Sequence, residues 1–296
     1  MSKSTDLIHW THSTVHFPTR FPDGWSSVTR VWAPETVYDR ETGKYMVYFS
    51  LLTSDDGTCT YDKVFYCYAN EDFTDLEDYP VHLFDRGSAT IDADIVFDEN
   101  DQLYHMIYKN EGIQSISHVT APYLTARKGQ PTGSQWGELG GAIQQTTVAV
   151  EGGGIFYHLD ENVYVVMYDC YNSGYYQFCT TTDWKNFTLR AQTTTSGKFT
   201  PRHGSVTPIY PSEIKALLAA FPTDGYNINL AVRGDANGDG EIGMPDVMFI
   251  VNYILGTPAE TFDAQAADAN NDGEIGMPDV MFIIQYILNG KFPDEE

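Results

Sequence analysis

The sequence has 296 residues and a formal charge of −24 at neutral pH. The length allows one large domain and a small one, and the negative charge argues against nucleic acid or an anionic membrane as a partner. No run of apolar residues is long enough to span a membrane. The aromatic residues, 14% of the chain, are numerous enough both to fill a core and to stack on sugars.

A repeat of about 60 residues runs through residues 1–232. A turn, a tyrosine, three residues and a second aromatic occur three times, and the tyrosines are 59 and 60 residues apart. These tyrosines are Tyr45, Tyr104 and Tyr164. The period predicts β-propeller blades of about four strands each. A β-sandwich is the less favoured alternative, because it would not reuse one motif periodically.

A second motif, an aspartate followed by an apolar residue, marks the late part of a blade. It occurs at Asp6, Asp72 and Asp183, with a diverged form near Tyr123. Only five residues precede Asp6, so we expect the first blade to be incomplete. No signal peptide opens the chain, and we expect a mature or truncated reading frame.

The segment before each tyrosine is predicted to be the innermost strand of its blade, at a shared central funnel. A fourth segment of this kind follows later in the chain. The segments are residues 32–35, 91–94, 150–154 and 201–205, and their ionisable residues include Glu35, Asp92, Glu151 and His203. Each residue also has a structural interpretation when taken singly, for example Glu35 as a turn cap and His203 as a buried hydrogen-bonding group. Four ionisable residues at equivalent blade positions favour a functional site.

These segments resemble glycoside hydrolase family 43. The resemblance rests on WAPE at 32–35, IDADIVFD at 91–98, VEGGGIF at 150–156, YDCYNSGYYQFC at 168–179 and GKFTPRHGSV at 197–206. It covers nearly all of residues 1–232. It implies a mainly β, five-bladed propeller that acts on arabinose-, xylose- or galactofuranose-containing plant glycans.

The resemblance also implies roles for individual residues. Glu151 aligns with the general acid of an inverting hydrolase, and Asp92 aligns with the pKa modulator that orients this acid. The family's general base lies on the inner strand of the first blade, so we expect it to be absent from the chain and hydrolysis to be weak or lost, unless Glu35 has replaced it. The expected substrate-binding residues are Trp32, Glu35, Arg202 and His203, and His203 matches an axial histidine beside a central ion or water.

Two alternatives to a hydrolase stay open. One is a propeller that binds glycans without cleaving them, and the other is a purely structural assembly module, which the funnel residues make less favoured. A disulfide between Cys170 and Cys179 also stays open, since the two flank a turn in an apparently offset register.

The last part of the chain is rich in acids at fixed spacing. From Gly234 to Glu296 there are 13 acids and one base. A 12-residue loop motif occurs twice, 33 residues apart, with oxygen side chains at positions 1, 3, 5 and 12 and a glycine at position 6. This pattern suits calcium. The predicted ligands of two calcium ions are Asp235, Asn237, Asp239, Glu241 and Asp246, and Asp268, Asn270, Asp272, Glu274 and Asp279.

A helix is predicted after each loop, with an apolar face at helical spacing. These faces consist of Val247, Ile250, Val251 and Ile254, and of Val280, Ile283, Ile284 and Ile287. A pair of EF-hands is the alternative, but position 12 is Asp rather than Glu. The duplicated loop and helix resemble dockerins, particularly those of gut Bacteroidetes.

The dockerin resemblance completes the predicted organisation. It implies a propeller over residues 1–232, a dockerin over residues 233–296 and a cohesin-like scaffold module as partner. It also implies an extracellular or cell-surface location. A further ion near His203 is left as an open expectation.

Overall fold

The computed structural model describes residues 1–54, 59–137, 141–159, 161–194, 202–221 and 231–295. The chain divides into two compact units. The first comprises Met1–Lys3 and Thr11–Thr207, and the second comprises Ser4–Trp10 and Pro208–Glu296. None of the described helices combines the length and apolar character that crossing a membrane requires.

The first unit is built mainly of β-strands. Its strands are β1 (Ser2–Lys3), β2 (Thr11–His12), β3 (Val28–Asp39), β4 (Lys44–Thr53), β5 (Lys63–Tyr68), β6 (Val81–Phe84), β7 (Thr90–Asp98), β8 (Leu103–Asn110), β9 (Ser115–Ala121), β10 (Glu151–His158), β11 (Val163–Cys170), β12 (Tyr175–Thr181) and β13 (Thr188–Thr194). Two short helices, α1 (Phe17–Arg20) and α2 (Pro22–Trp25), precede β3.

The strands form three blade-like antiparallel sheets and one two-stranded ribbon. The sheet orders are β3-β4-β5-β6, β7-β8-β9 and β10-β11-β12-β13, and the ribbon is β1-β2. Each sheet follows the chain order, as expected when neighbouring strands are joined by hairpins. The prediction of a mainly β region with about four strands per repeat is therefore confirmed for the described residues.

The first strand of every sheet carries a β-bulge at the same repeat position. The register shifts between Trp32 and Glu35, between Ile91 and Asp94, and between Glu151 and Gly154. Inside these bulges the backbone has positive φ at residues 33, 92 and 152, with values of 44°, 53° and 59°. A bulge re-aims the side chains beside it. Three of the four predicted inner segments are thus the first strands of their sheets, at the predicted spacing.

The fourth predicted inner segment differs from the other three. Pro201 lies outside the described residues, and residues 202–205 form no strand. A carboxy-terminal strand near residues 226–232 would be expected to help close a propeller, and this segment also lies largely outside the described residues.

The aspartate motif has one backbone conformation wherever it occurs. The residue after the aspartate has positive φ at Leu7, Phe73 and Trp184, with values of 60°, 53° and 57°. At Asp6 and at Asp183, one carboxylate oxygen accepts hydrogen bonds from two amides that follow in the chain. The sequence repeat is therefore a repeat of turn geometry.

Large aromatic side chains fill the spaces between the sheets. The second aromatic of the tyrosine motif, Phe49, Tyr108 or Tyr168, is buried in all three copies. All four cysteines are buried, and Cys67, Cys170 and Cys179 are free thiols. Cys179 pairs with Val166 and Cys170 pairs with Tyr175 across β11 and β12, so the two sulfurs are offset along the sheet and form no disulfide.

The second unit contains four helices among its described residues. They are α3 (Pro211–Ala220), α4 (Met244–Ile254), α5 (Ala264–Ala267) and α6 (Met277–Asn289). Helices α4 and α6 pack together, and Val247, Ile250, Val280 and Ile283 lie in their shared core. This confirms the predicted helical dockerin region.

The predicted apolar faces extend one turn beyond the contact between the two helices. Ile254 and Ile287, which end these faces, have 42% and 40% of their surface exposed. The first two turns of each helix make the contact, and the last turn extends beyond it.

Candidate functional site

A cavity of about 500 Å³ lies where the bulged strands β3, β7 and β10 meet. It combines hydrophobic surface with three carboxylates and an imidazole. Its walls are Val31, Trp32, Ala33, Pro34, Glu35, Ile91, Asp92, Glu151 and His203. Five of the six site residues predicted in the first unit thus line one cavity, and the sixth, Arg202, bonds Glu151.

Asp92 is the most deeply buried of the three carboxylates, with 5% of its surface exposed. It accepts a hydrogen bond of 2.9 Å from the Gly152 amide, and its Oδ2 lies 3.8 Å from His203 Nε2. Burial raises the pKa of Asp92, against the lowering effects of His203 and the Gly152 amide. The positive φ of Asp92 is uncommon for a residue other than glycine and is a feature that clusters at functional sites.

Glu151 forms an ion pair with Arg202. The same guanidinium donates from Nε to Asp169 Oδ2 at 2.9 Å, so it connects the acids of two adjacent strands. The hydrogen bond to Glu151, and then the one to Asp169, raise the pKa of Arg202 above its usual value.

Glu35 lies on β3 and is half-buried. Its Oε1 accepts a hydrogen bond of 2.9 Å from Ser205 Oγ. Burial raises the pKa of Glu35, while Ser205 and the nearby His203 lower it. Glu35 therefore serves as neither a turn cap nor a surface acid, and His203, which is exposed to the cavity, is not buried as one interpretation expected.

Asp94 was not among the predicted site residues, although it stands at the repeat position of Glu35. Its Oδ2 accepts from the Ile155 amide at 2.6 Å, and its Oδ1 accepts from the Tyr48 hydroxyl at 3.2 Å. These bonds join β7 to β10 and β4. Burial raises the pKa of Asp94 to about 7. The signal was visible in IDADIVFD, where two aspartates stand two residues apart.

Three buried polar residues that pair with the cavity strands were also missed. In each sheet, the residue just before the bulge pairs with a residue of the second strand. This partner is polar and buried in all three sheets, as Ser50, Lys109 and Asp169. Their spacing of 59 and 60 residues repeats that of the tyrosines. Ser50 Oγ and Lys109 Nζ have no hydrogen-bond partner among the described residues.

A second group of potential ligands is structural. Asp98, Asp101 and His105 could together hold a metal ion by distance. However, Asp98 accepts from the Asn100 amide and from Trp184 Nε1, and Asp39 caps the equivalent turn 59 residues earlier by accepting from the Glu41 amide. The group is therefore a repeated turn cap with a buried histidine packed beside it.

The two acidic loops of the second unit have the same internal geometry. In the first loop, Asp235 accepts from the amides of Asp239 and Gly240, and Asp246 accepts from those of Asn237 and Gly243. In the second loop, Asp268 and Asp279 make the corresponding bonds, to residues 272, 273, 270 and 276.

The carboxylates of these loops fit a hard cation. Asp246 and Asp279 are almost fully buried, and no loop acid forms an ion pair with a described lysine or arginine. Burial raises the pKa of Asp246, and the neighbouring Asp235 and Asp239 raise it further. Gly240 and Gly273 have φ of 94° and 87° at loop position 6, where the chain turns sharply. Buried, mutually repelling carboxylates that form no ion pair among the described residues are what a calcium ion would neutralise.

Comparison with known proteins agrees with both regions. The profile of a glycoside hydrolase family 43-related group, described as a probable glycosyl hydrolase domain, matches residues 1–215. The profile of the type I dockerin domain, a calcium-binding domain, matches residues 233–288. No curated protein matches the chain.

Several solved structures are similar to this chain. A thermostable family-43 glycoside hydrolase has 20% identity over 64% of this chain and 63% of its own, with a TM-score of 0.45. The β-fructofuranosidase from Schwanniomyces occidentalis has 15% identity over 56% of this chain and 34% of its own, with a TM-score of 0.41. The exo-β-1,3-galactanase from Clostridium thermocellum has 12% identity over 67% and 42%, with a TM-score of 0.46.

The chain thus spans less than two thirds of the length of these solved structures. The family profile, in contrast, covers well over half of the present chain. The chain belongs to the glycoside hydrolase family 43-related family and carries a type I dockerin after the family region.

Proposed function

We propose that the cavity is a glycosidase active site for arabinose-containing plant glycans or related furanosides and xylosides, acting with inversion of configuration. The observation that supports this most is the convergence of Trp32, Glu35, Asp92, Glu151 and His203 on one cavity. A cavity of this size with an aromatic wall and several carboxylates suits a sugar unit and acid–base chemistry. Family membership supports the reaction class, and the sugar is our proposal from the sequence resemblance.

In this proposal Glu151 is the general acid that protonates the leaving glycosidic oxygen, and Asp92 is the pKa modulator that orients it. Glycan binding must open the Arg202–Glu151 pair, so that Glu151 can hold the proton. Arg202 is well exposed and keeps Asp169 as a second partner, so it can leave Glu151 without losing all compensation for its charge. Trp32 and His203 contact the sugar.

This assignment leaves no dedicated residue for the general base. The acids that line the cavity among the described residues are Glu35, Asp92 and Glu151, and two of them already have roles. We propose that no dedicated base is present and that turnover is weak or absent. Loss of a general base typically costs about 10²- to 10⁴-fold in rate. Glu35 is the residue that could activate water instead.

A glycan-binding protein without hydrolase activity is the second candidate. The Arg202–Glu151 pair favours it, because a paired and ionised Glu151 is suited to accepting hydrogen bonds from sugar hydroxyls. Under this alternative the same residues hold the glycan, and no bond is cleaved.

Site-directed variants distinguish these possibilities. The wild type, Glu151→Gln and Glu35→Gln would be assayed on aryl α-L-arabinofuranosides and β-xylosides, and on arabino- and xylo-oligosaccharides. We expect slow release of sugar that Glu151→Gln abolishes and Glu35→Gln changes little, with binding by calorimetry retained in both variants. Fast turnover abolished by Glu35→Gln would make Glu35 the base. Binding without any turnover in the wild type would favour the non-catalytic alternative.

The acidic loops supply the attachment part of the proposal. We propose two calcium ions, one held by Asp235, Asn237, Asp239, Glu241 and Asp246, and one by Asp268, Asn270, Asp272, Glu274 and Asp279. We also propose a cohesin-like scaffold module as partner and an extracellular or cell-surface location. A further ion beside His203 is proposed because Asp92 and Glu35 lie around that imidazole. Calcium uptake that persists in an Asp246→Asn, Asp279→Asn double variant would support this third site.

A further inference from the structure

Trp32 lines the cavity, and the guanidinium of Arg30 lies over the Trp32 ring. Arg30 and Trp32 stand two residues apart on β3, so their side chains leave the same face of the sheet. The Arg30 Cζ lies 4.5 Å from the centroid of the Trp32 ring. This distance is typical of a cation–π contact. About 45% of the Trp32 surface remains exposed, and the residue lines the cavity.

Arg30 is itself held in place by Asp62. Its Nε donates to Asp62 Oδ1 at 2.8 Å and its Nη2 donates to Oδ2 at 2.7 Å, which is the two-pronged geometry that fixes a guanidinium plane. The Asp62 side chain is only 5% exposed. Its backbone oxygen accepts from the Thr90 amide at 2.9 Å, so Asp62 is fastened to the start of β7, the strand that carries Asp92.

We infer that Arg30 and Asp62 form a clamp that presets the Trp32 indole as a stacking platform for a neutral sugar ring in the cavity. Arg30 is thus a positioning residue that acts through Trp32. The inference rests on the proposed function, since it assigns the glycan contact of that same cavity. A side chain ordered before binding does not lose its rotamer freedom when the sugar arrives, and this ordering improves affinity.

The charges around the cavity favour a neutral sugar over an acidic one. Glu35, Asp92 and Glu151 line the cavity and would repel a uronate or sulfate group. The nearby guanidiniums are already neutralised, since Arg30 pairs with Asp62, and Arg202 pairs with Glu151 and Asp169. The apolar face of a neutral sugar can therefore lie on the indole without a charge to compensate.

The chain contains a matched control for this clamp. Arg127 donates to both oxygens of Glu41, at 2.6 and 2.5 Å, and its Cζ lies 4.1 Å from the Tyr123 ring centroid. This triad has the same chemistry, but none of its residues lines the cavity. Replacing its arginine measures the general cost of losing such a surface contact, which is small for exposed pairs.

The experiment uses the full chain and calorimetric titration with arabinotriose, xylotriose and β-1,3-galactotriose, with a trigalacturonate as the acidic probe. We expect Arg30→Met to weaken binding of the preferred neutral probe about 3- to 10-fold, and Arg127→Met to leave it unchanged. Where the probe is hydrolysed, KM should rise while kcat stays constant. Trigalacturonate should bind at least tenfold more weakly than the preferred neutral probe.

Two further measurements exclude a merely structural role for Arg30. In the Trp32→Ala background, Arg30→Met should have no additional effect on affinity, because the clamp acts through the indole. In protein labelled with 5-fluorotryptophan, Arg30→Met should shift and sharpen the ¹⁹F signal of Trp32 without ligand, and Arg127→Met should not. Arg30→Lys should not restore affinity, because an ammonium lacks the planar fork.

The outcomes separate the inference from the function on which it rests. If the wild type binds none of the neutral probes, both the proposed function and the inference fail. If the wild type binds but Arg30→Met and Arg127→Met behave alike, or if the effect of Arg30→Met persists without Trp32, the inference alone is overturned.

Discussion

The residues around the cavity are positioned by a β-bulge with positive φ. The chemistry of their side chains alone does not explain this backbone feature. Ala33, Asp92 and Gly152 occupy the same bulge position in three sheets, and all have positive φ. Only one of the three is a glycine. At Gly152 the reason is close packing, because a Cβ there would lie 2.6 Å from the Arg202 carbonyl oxygen and 3.4 Å from the His203 ring.

Replacement of Gly152 should therefore disturb the Arg202–His203 segment. We expect Gly152→Ala to lower the free energy of unfolding by about 1–3 kcal/mol beyond the cost of positive φ itself, as overpacking does. It should also weaken glycan binding. Gly174→Ala is the matched control, because Gly174 has a similar φ of 70° but no atom within 4 Å of the added Cβ. Urea denaturation of both variants measures the difference, and equal losses would contradict the packing argument.

Asp94 is expected to make stability depend on pH in a defined direction. Because the pKa of Asp94 is raised to about 7 in the folded protein, its contribution is present at low pH and is lost as pH rises toward 7. A pKa shift of this size corresponds to roughly 2–4 kcal/mol in the free energy of unfolding.

The test of this prediction compares the wild type with Asp94→Asn, which cannot titrate. The difference in the free energy of unfolding should favour the wild type most below the ordinary aspartate pKa of 3.8 and should decline as pH rises to 7. Tyr48→Phe, which removes a hydroxyl that donates to Asp94 Oδ1, is a useful second variant. A difference that is constant across this range would show that the carboxyl keeps its ordinary pKa.

At the level of elements, the helix after each acidic loop of the dockerin was predicted, since its apolar spacing is local. The error lay at Ile254 and Ile287. Helical periodicity identifies a face but not the length over which a partner covers it. The sequence likewise could not decide whether Cys170 and Cys179 form a disulfide, because this depends on the register of β11 and β12.

Each loop should bind one calcium ion, and either ion should be removable without loss of the other. We expect Asp246→Asn and Asp279→Asn each to lower the calcium stoichiometry from calorimetry by one ion, because each removes a buried carboxylate from one loop. Asp263→Asn is the control, since Asp263 caps α5 by accepting from the Gln265 and Ala266 amides and belongs to neither loop motif. An unchanged stoichiometry in either loop variant would contradict the ligand assignment.

At the scale of the whole molecule, the repeat period carried most of the prediction. It placed Glu35, Asp92 and Glu151 in equivalent first-strand segments before any contact was known, although they stand at three different positions of the bulge, and the three line one cavity. The contacts of Asp94 could not be predicted, because they depend on which groups arrive from two other sheets. A sequence shows the chemistry of each side chain, whereas the contacts between residues of different sheets are determined by the assembled fold.

The two compact units lead to a prediction about unfolding of the full chain. The proposed calcium ligands lie between residues 235 and 279, and the proposed glycan contacts lie between residues 32 and 203. A ligand stabilises the unit that binds it by RT ln(1 + [L]/Kd), which is about 2.7 kcal/mol at 100 times Kd. Calorimetry should therefore resolve two transitions that respond to different ligands.

The Asp246→Asn, Asp279→Asn double substitution should lower the Tm of one transition or remove it, and should leave the other within about 1 °C, because each ligand stabilises only the unit to which it binds. A bound neutral oligosaccharide should raise only the transition that the double substitution spares, by a few degrees. If one ligand moves both transitions together, the two units unfold as a single cooperative body, and calcium binding in the dockerin would then contribute directly to the stability of the glycan cavity.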